Sequence, residues 1–177
     1  MQQKHNDKIY GLNILGDIYR SFGLAEKYGV SFIQIDSVCG HLEPDLDEEY
    51  ESMLKFLRRN SDCTVLGGVR FKYQPVNSGR TLAEDLKIGM GRCDAVVCTG
   101  EGTGLATPMD KVENFRQILG DFPVIIGAGV TIDMVEACRR NSNGVIVGSW
   151  FKDNHRAEYS VNEDNVKDFM LRWNAYT

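Results

Sequence analysis

The chain has 177 residues, of which 42% are hydrophobic and 25% are charged, and its formal net charge at pH 7 is −5. This length and composition are typical of one folded domain, which we place over residues 1–177, with residues 1–7 as a disordered tail. The negative charge argues against nucleic acid or an anionic membrane as a partner. No apolar run is long enough to span a bilayer and residues 1–7 do not resemble a signal peptide, so we expect a cytoplasmic protein.

The cysteines and histidines indicate neither a disulfide framework nor a metal site. The five cysteines are odd in number and include no Cys-x-x-Cys pair, and the three histidines lack the spacing of metal ligands. Because such frameworks need closer, patterned spacing, we expect reduced thiols, no metal and no cofactor. The residues concerned are Cys39, Cys63, Cys93, Cys98 and Cys138, with His5, His41 and His155.

Six short apolar runs recur along the chain at the spacing of βα units. Their starts lie 23, 32, 30, 29 and 21 residues apart. The runs are mostly continuous instead of alternating, as in parallel strands that helices cover on both faces. The predicted strands are Ile9–Ile14, Phe32–Ile35, Thr64–Val69, Asp94–Cys98, Pro123–Ile126 and Gly144–Val147.

Amphipathic helices are predicted between the strands. Apolar residues repeat at helical spacing in three segments: Tyr50, Met53, Leu54 and Leu57; Val112, Phe115 and Leu119; and Val166, Phe169, Met170 and Trp173. Start signals agree with this pattern. They are capping boxes at Thr81–Glu84 and Ser160–Glu163, and Thr107 followed by Pro108 at the first helical position.

The alternation predicts an α/β, TIM-barrel-like fold of six βα units. A closed (β/α)8 barrel uses eight strands in about 250 residues, so this chain accounts for an incomplete barrel. A doubly wound open sheet is the alternative. Its usual nucleotide fingerprint is absent, because Gly11–Gly16 lacks the GxGxxG spacing.

Two of the predicted strands end in glycine turns. Val124–Ile126 is followed by Gly127, Ala128 and Gly129, and the last strand is followed by Gly148 and Ser149. Two successive strand–glycine–helix units of this kind form the phosphate site of (β/α) barrels, where free backbone N–H groups face an anion. The alternative is that these glycines only make tight turns. We predict phosphate-binding roles for Gly127, Gly129, Gly148 and Ser149.

Polar side chains at the other strand ends are candidates for chemistry. Asp36 follows its strand directly and is a candidate general base, or else it caps the next loop. Lys72 is a candidate acid or phosphate ligand, or else a surface lysine, and Glu101 is a second candidate carboxylate. Arg70 stands two residues before Lys72, so the two side chains could share one face of a strand. Asn13, Arg70, Thr99 and Thr103 complete the predicted ligand-binding set.

Much of the chain resembles the BtpA/SgcQ family, whose members are (β/α)-barrel proteins related to phosphate-binding barrels such as phosphoribosylanthranilate isomerase. The resemblance lies in Asp94–Gly100, Thr103–Gly104, Pro123–Thr131 and Asn143–Lys152, and upstream in Gly11–Leu15 with Asp17, Gly29–Ile33 and Val69–Val76. Tyr73 stands where the family usually has histidine. The resemblance implies units three to eight of a barrel, since the family's first two strands have no counterpart before Lys8. One member of the family is linked to photosystem I biogenesis, so the resemblance also implies a protein of that kind. It implies no defined reaction.

Two functions remain open from the sequence. One is an isomerase-like or lyase-like enzyme acting on a phosphorylated small metabolite such as a sugar or ribose phosphate, with Asp36, Lys72 and Glu101 as its catalytic groups. The other is a non-catalytic binding or assembly protein, or a degenerate barrel remnant. Because a barrel lacking two units has open, apolar sheet edges, we also expect a homo-oligomer joined through those edges, or edges that terminal segments cover.

Overall fold

The computed structural model describes residues 8–176, so the predicted tail at residues 1–7 lies outside the described residues. Six parallel strands form one curled sheet in sequential order, each paired with its neighbour in the chain. The strands are β1 (Gly11–Leu12), β2 (Phe32–Cys39), β3 (Thr64–Val69), β4 (Ala95–Cys98), β5 (Val124–Ile126) and β6 (Gly144–Val145). The predicted TIM-barrel-like architecture of six βα units is confirmed.

One helix follows each strand. The helices are α1 (Ile18–Tyr28), α2 (Pro44–Arg59), α3 (Leu82–Met90), α4 (Met109–Leu119), α5 (Val135–Asn141) and α6 (Glu163–Ala175). None of those in residues 8–176 has both the length and the apolar character needed to cross a membrane.

The strands begin within two residues of the predicted positions, and β3, β4 and β5 end where predicted, whereas β1, β2 and β6 do not. β2 continues past Ile35 to Cys39, with a break in its register against β3 between those residues. Asp36 therefore lies within β2, and the prediction that it directly follows the strand is wrong. β6 ends at Val145, two residues earlier than predicted, and a 3₁₀ turn begins at Ser149.

The helix start signals were read correctly in one of three cases. The capping box at Thr81 is present, with Glu84 returning the hydrogen bond. The box at Ser160 is wrong, because Asn162 caps α6 by accepting from the N–H groups of Asp164 and Asn165. Pro108 precedes α4 instead of beginning it, and the Thr107 hydroxyl donates to Ala128 O at 2.9 Å. The buried Thr107 thus ties the β4–α4 loop to the turn after β5.

The core lies between the sheet and its helices. Leu54, Val112, Phe115 and Phe169 are all buried there, as their helical spacing predicts. Met170 is the exception, because its side chain is 42% exposed beside β6.

Candidate functional site

A cavity of about 580 Å³ opens near the C-terminal ends of β1–β3, a volume in the usual range of small-molecule sites. Its apolar walls come from the β1–α1 loop, β2 and the residues after β3. Its polar lining includes Gln34, Asp36, His41, Lys72, Tyr73 and Gln74. The structure therefore brings the predicted Asp36 and Lys72 to one cavity.

Asp36 is fixed by two amide side chains. Asn13 Nδ2 donates to Asp36 Oδ1 at 2.8 Å, and Gln34 Nε2 donates to the same oxygen at 3.5 Å. Asn13, predicted as a ligand-binding residue, thus orients the carboxylate. Oδ2 has no partner among these contacts, so it is the oxygen that can meet a ligand.

Lys72 joins two loops at the mouth. Its Nζ donates to Thr103 Oγ1 at 3.1 Å, and its backbone N–H donates to Thr99 Oγ1 at 3.0 Å. The neighbouring Tyr73 hydroxyl accepts from the Thr103 N–H at 2.6 Å, and hydrogen bonding with Thr103 lowers the pKa of Tyr73. The predicted residues Lys72, Thr99 and Thr103 therefore form one connected group. Glu101 is exposed and is not among the residues that line the cavity.

The sequence suggested that Arg70 and Lys72 share one face of a strand, and this prediction is wrong. β3 ends at Val69, and Arg70 has a φ of 47°, so the chain turns before Lys72. The Arg70 guanidinium donates to Asp85 Oδ2 at 2.8 Å and to Arg80 O at 2.6 Å. It is engaged by α3 and its preceding loop instead of facing the cavity.

Arg70 belongs to a buried ion network that supports the β3–α3 loop. Arg80 bridges Asp85 at 2.9 Å and Asp47 at 2.8 Å, and Arg92 binds Asp47 at 2.7 Å. The Asp85 side chain is 0% exposed. Although burial opposes it, the hydrogen bonds from Arg80 and Arg70 hold the pKa of Asp85 below its usual value. The network holds α2 and α3 to the loop that carries Lys72.

The glycine turns after β5 and β6 border one loop. The backbone N–H of Gly127 donates to Cys98 O at 2.8 Å, so this donor belongs to the sheet and is not free as predicted. Within residues 8–176, no hydrogen bond occupies the N–H groups of Gly129, Gly148 or Ser149. A Cβ on Gly129 would lie 2.1 Å from Leu105 O, and one on Gly104 would lie 3.9 Å from Ser149 Oγ. Both turns therefore meet the β4–α4 loop, which also carries Thr103.

His41 is a cavity residue that the sequence did not single out. It follows β2, and the sequence ended that strand at Ile35. Its Nδ1 is buried and has no hydrogen-bond partner among residues 8–176, while its ring stands edge-on to Tyr50 at a centroid distance of 5.2 Å. Burial lowers the pKa of His41, which favours a neutral imidazole at neutral pH. The sequence feature that could have indicated His41 as a site residue is its position after an apolar run and Gly40.

No group of three or more His, Cys, Asp or Glu side chains suited to a metal ion occurs in the described part of the chain. The five cysteines are free thiols, and four of them are buried.

A model of the BtpA family matches residues 6–175. The chain belongs to the BtpA family. The resemblance drawn from the strand-end motifs is thereby confirmed.

Several BtpA-family relatives are uncharacterized archaeal proteins. One from Thermococcus kodakarensis is 28% identical over 166 residues, covering 90% of this chain and 63% of the relative. Another from Methanocaldococcus jannaschii is 24% identical over 167 residues, with the same coverage. The chain thus spans less than two thirds of the length of these relatives.

Solved structures place this BtpA-family chain among TIM-barrel-like folds. It superposes on a native KDPGal structure with a TM-score of 0.64 and 14% identity, covering 99% of this chain and 73% of that one. Phosphoribosyl anthranilate isomerase from Thermococcus kodakaraensis gives a TM-score of 0.57 and 19% identity, covering 91% and 72%. At these identities the likeness shows the fold alone.

Proposed function

We propose that this BtpA-family protein binds a phosphorylated small metabolite, such as a sugar or ribose phosphate. The phosphate is held by the backbone N–H groups of Gly129, Gly148 and Ser149, and the rest of the ligand extends toward Asp36 and Lys72. The observation that carries the proposal is the set of unoccupied N–H donors on two adjacent strand ends beside one loop. Oriented backbone donors of this kind favour an anion.

The space around Gly148 supports this assignment. A Cβ on Gly148 would meet no heavy atom within 4 Å, so packing within the described chain does not require glycine there. Gly129, in contrast, has a φ of 62° and contacts the Leu105 backbone, which accounts for its glycine without a ligand. Gly148 leaves room for a bulky anion to approach the N–H group of Ser149, the first residue of the 3₁₀ turn Ser149–Phe151.

The cavity supports acid–base chemistry on the bound metabolite. In an isomerase-like reaction, Asp36 takes a proton from the hydroxyl-bearing carbon next to a carbonyl group and returns it to the former carbonyl carbon, while the hydroxyl proton passes to the former carbonyl oxygen. The Lys72 ammonium stabilises the oxygen that gains negative charge. Asn13 orients the Asp36 carboxylate for this task, and Thr103 holds Lys72 Nζ at 3.1 Å.

Thermal melting with inorganic phosphate and with ribose 5-phosphate tests the phosphate site. A ligand at about 100 times its Kd stabilises the native state by about 2.7 kcal/mol, which raises the Tm by about 5–10 °C for a chain of this length. Ser149→Asp places a carboxylate among the donors and should abolish the shift. Ser52→Asp makes the same charge change at an exposed position on α2 and should leave the shift intact.

Turnover separates an enzyme from a binding protein. An active isomerase should lose activity on Asp36→Asn while keeping the phosphate-dependent Tm shift. A shift with no turnover of any phosphorylated sugar would favour the non-catalytic alternative. No shift with either compound would contradict the phosphate site itself.

A further inference from the structure

The imidazole of His41 has one buried nitrogen and one accessible nitrogen. Nδ1 is buried and has no hydrogen-bond partner among residues 8–176. Nε2 has no partner among the same residues either, but it is not one of the buried atoms. Because His41 lines the cavity of about 580 Å³ together with Asp36 and Lys72, Nε2 is the nitrogen that a ligand in this cavity can reach.

The surroundings of Nδ1 decide which ring nitrogen carries the proton. A neutral imidazole has one N–H donor and one acceptor nitrogen. A buried N–H group without an acceptor is rarer, and costs more, than a buried acceptor without a donor. The Tyr50 ring stands edge-on to His41, and its hydroxyl donates to Ser37 O at 2.6 Å, so it gives Nδ1 no hydrogen bond. Nδ1 is therefore the unprotonated nitrogen, and Nε2 carries the proton.

The same surroundings keep the ring uncharged. An imidazolium would place a second N–H group at the buried Nδ1, where it has no acceptor. Burial is the main cause that lowers the pKa of His41, the Arg92 guanidinium adds to it, and the Asp47 carboxylate opposes it. The charged side chains on the cavity itself are Asp36 and Lys72, which are of opposite sign. His41 thus presents a neutral Nε2–H to the cavity at neutral pH.

The isomerase-like reaction leaves one proton without a carrier. Asp36 moves a proton between two carbon atoms and Lys72 stabilises negative charge, but the hydroxyl proton must still reach the former carbonyl oxygen. The carrier of this proton has to contact both oxygens and has to give and take a proton. A neutral imidazole meets both needs, because one nitrogen can donate its proton to the first oxygen and then accept the proton of the second.

We propose that His41 carries the hydroxyl proton to the former carbonyl oxygen through Nε2. The Nε2–H group gives its proton to the former carbonyl oxygen as that oxygen gains negative charge, and Nε2 then takes the proton of the neighbouring hydroxyl group. One N–H bond and one O–H bond break and one of each forms, so the ring is neutral before and after the transfer. The inference rests on the proposed function, because it needs a sugar phosphate whose carbonyl end lies beside Asp36.

Imidazole ¹⁵N NMR tests the state of His41 without any turnover. At about pH 8, where an ordinary histidine is neutral, we expect Nδ1 of His41 to give the shift of an unprotonated nitrogen and Nε2 that of a protonated one. His155 is an internal reference for the other tautomer, because its Nδ1 lies 2.9 Å from Trp150 O and must donate to that carbonyl oxygen. The His41 signals are those missing in His41→Gln. Ribose 5-phosphate should shift them, whereas inorganic phosphate should not.

Ribose 5-phosphate in D₂O tests the proton transfer itself. The wild type should exchange the hydrogen on C2 for deuterium and should also form the ketose. His41→Gln keeps an N–H donor but cannot pass on a proton, so it should keep the Tm shift and the C2 exchange while ketose formation falls at least about 100-fold. Asp36→Asn should lose exchange and ketose formation together. His155→Gln makes the same substitution at an exposed histidine outside the cavity and should change both rates by less than about twofold.

The outcomes separate this inference from the proposed function. A protonated Nδ1 would overturn the role of His41 and leave the phosphate site standing. So would unmoved His41 signals while ribose 5-phosphate still raises the Tm, or equal losses of exchange and ketose formation in His41→Gln. A wild type that binds ribose 5-phosphate but shows neither exchange nor ketose formation would also overturn it. No Tm shift with either compound would contradict the proposed function, and the inference would fall with it.

Discussion

Asp85→Asn should destabilise the protein strongly while keeping the size of the side chain. Asp85 is 0% exposed and accepts from Arg70 Nε at 2.8 Å, Arg80 Nε at 2.9 Å and Ser78 Oγ at 3.0 Å. Asparagine presents one neutral amide group to these donors, so the Arg70 and Arg80 guanidinium groups lose the negative charge that they share. Removing one partner of a buried ion pair costs about 3–5 kcal/mol.

The lower end of that range applies here, about 3 kcal/mol, because both arginine side chains are 23% exposed and Arg80 keeps its bond to Asp47. For a chain of this length, 3 kcal/mol lowers the Tm by about 6–12 °C and the urea midpoint by about 1.5 M. Urea unfolding followed by circular dichroism measures the change. Glu163→Gln is the control, since its ion pair with Lys167 is exposed and should contribute about 0.5 kcal/mol or less.

The pH dependence of this difference gives a second check. The pKa of Asp85 in the folded protein lies below its usual value of 3.8. Its contribution to stability is therefore fully present above that value and is lost as the pH falls through the lower, folded pKa. The wild-type and Asp85→Asn midpoints should be well separated at about pH 7 and should converge below about pH 4. A loss below about 1 kcal/mol at neutral pH, or an equal loss in Glu163→Gln, would refute the reasoning.

Three further predictions follow from the site and the core. Gly129→Ala should lower the free energy of unfolding by more than about 1 kcal/mol, because Gly129 has a positive φ and an added Cβ would lie 2.1 Å from Leu105 O. Gly148→Ala should keep the wild-type urea midpoint and weaken phosphate binding. Similar midpoints for the two variants would contradict this. Cys63 should react with a thiol reagent before Cys98 in the native protein, because Cys63 is half-buried, whereas Cys98 is buried and burial raises its pKa to about 12. Mass spectrometry follows the labelling, and faster labelling of Cys98 would contradict this prediction. Tyr73→Phe should speed amide exchange at Thr103 by removing its acceptor, and unchanged exchange would mean that the hydroxyl does not hold the loop.

The number and order of the elements were predictable from the sequence because parallel strands are continuous apolar runs. Thr64–Val69 was predicted with both its ends correct. The strand ends were harder to locate when polar residues continued the strand. Asp36 looks like the end of β2 by composition, yet pairing with β3 carries the strand on to Cys39.

The polar contacts of the site were less accessible from the sequence, because they join residues far apart in the chain. Arg92 and Asp47 are separated by 45 residues, and their pairing depends on how α2 and α3 pack. The same packing draws Arg70 toward Asp85, so its guanidinium belongs to the ion network. The two glycine turns could be located from a local sequence pattern, but the Gly127 N–H belongs to the sheet and is not a free donor.

The most direct test of the proposed phosphate site is a titration of the ¹⁵N-labelled protein with inorganic phosphate and ribose 5-phosphate, followed by amide NMR shifts. We expect the largest saturable shifts at Gly129, Gly148 and Ser149, with smaller ones at Thr103. The Ser149→Asp substitution should remove these shifts. Saturable shifts confined to other parts of the sheet, or no saturable shift at these three amides, would contradict the proposed site.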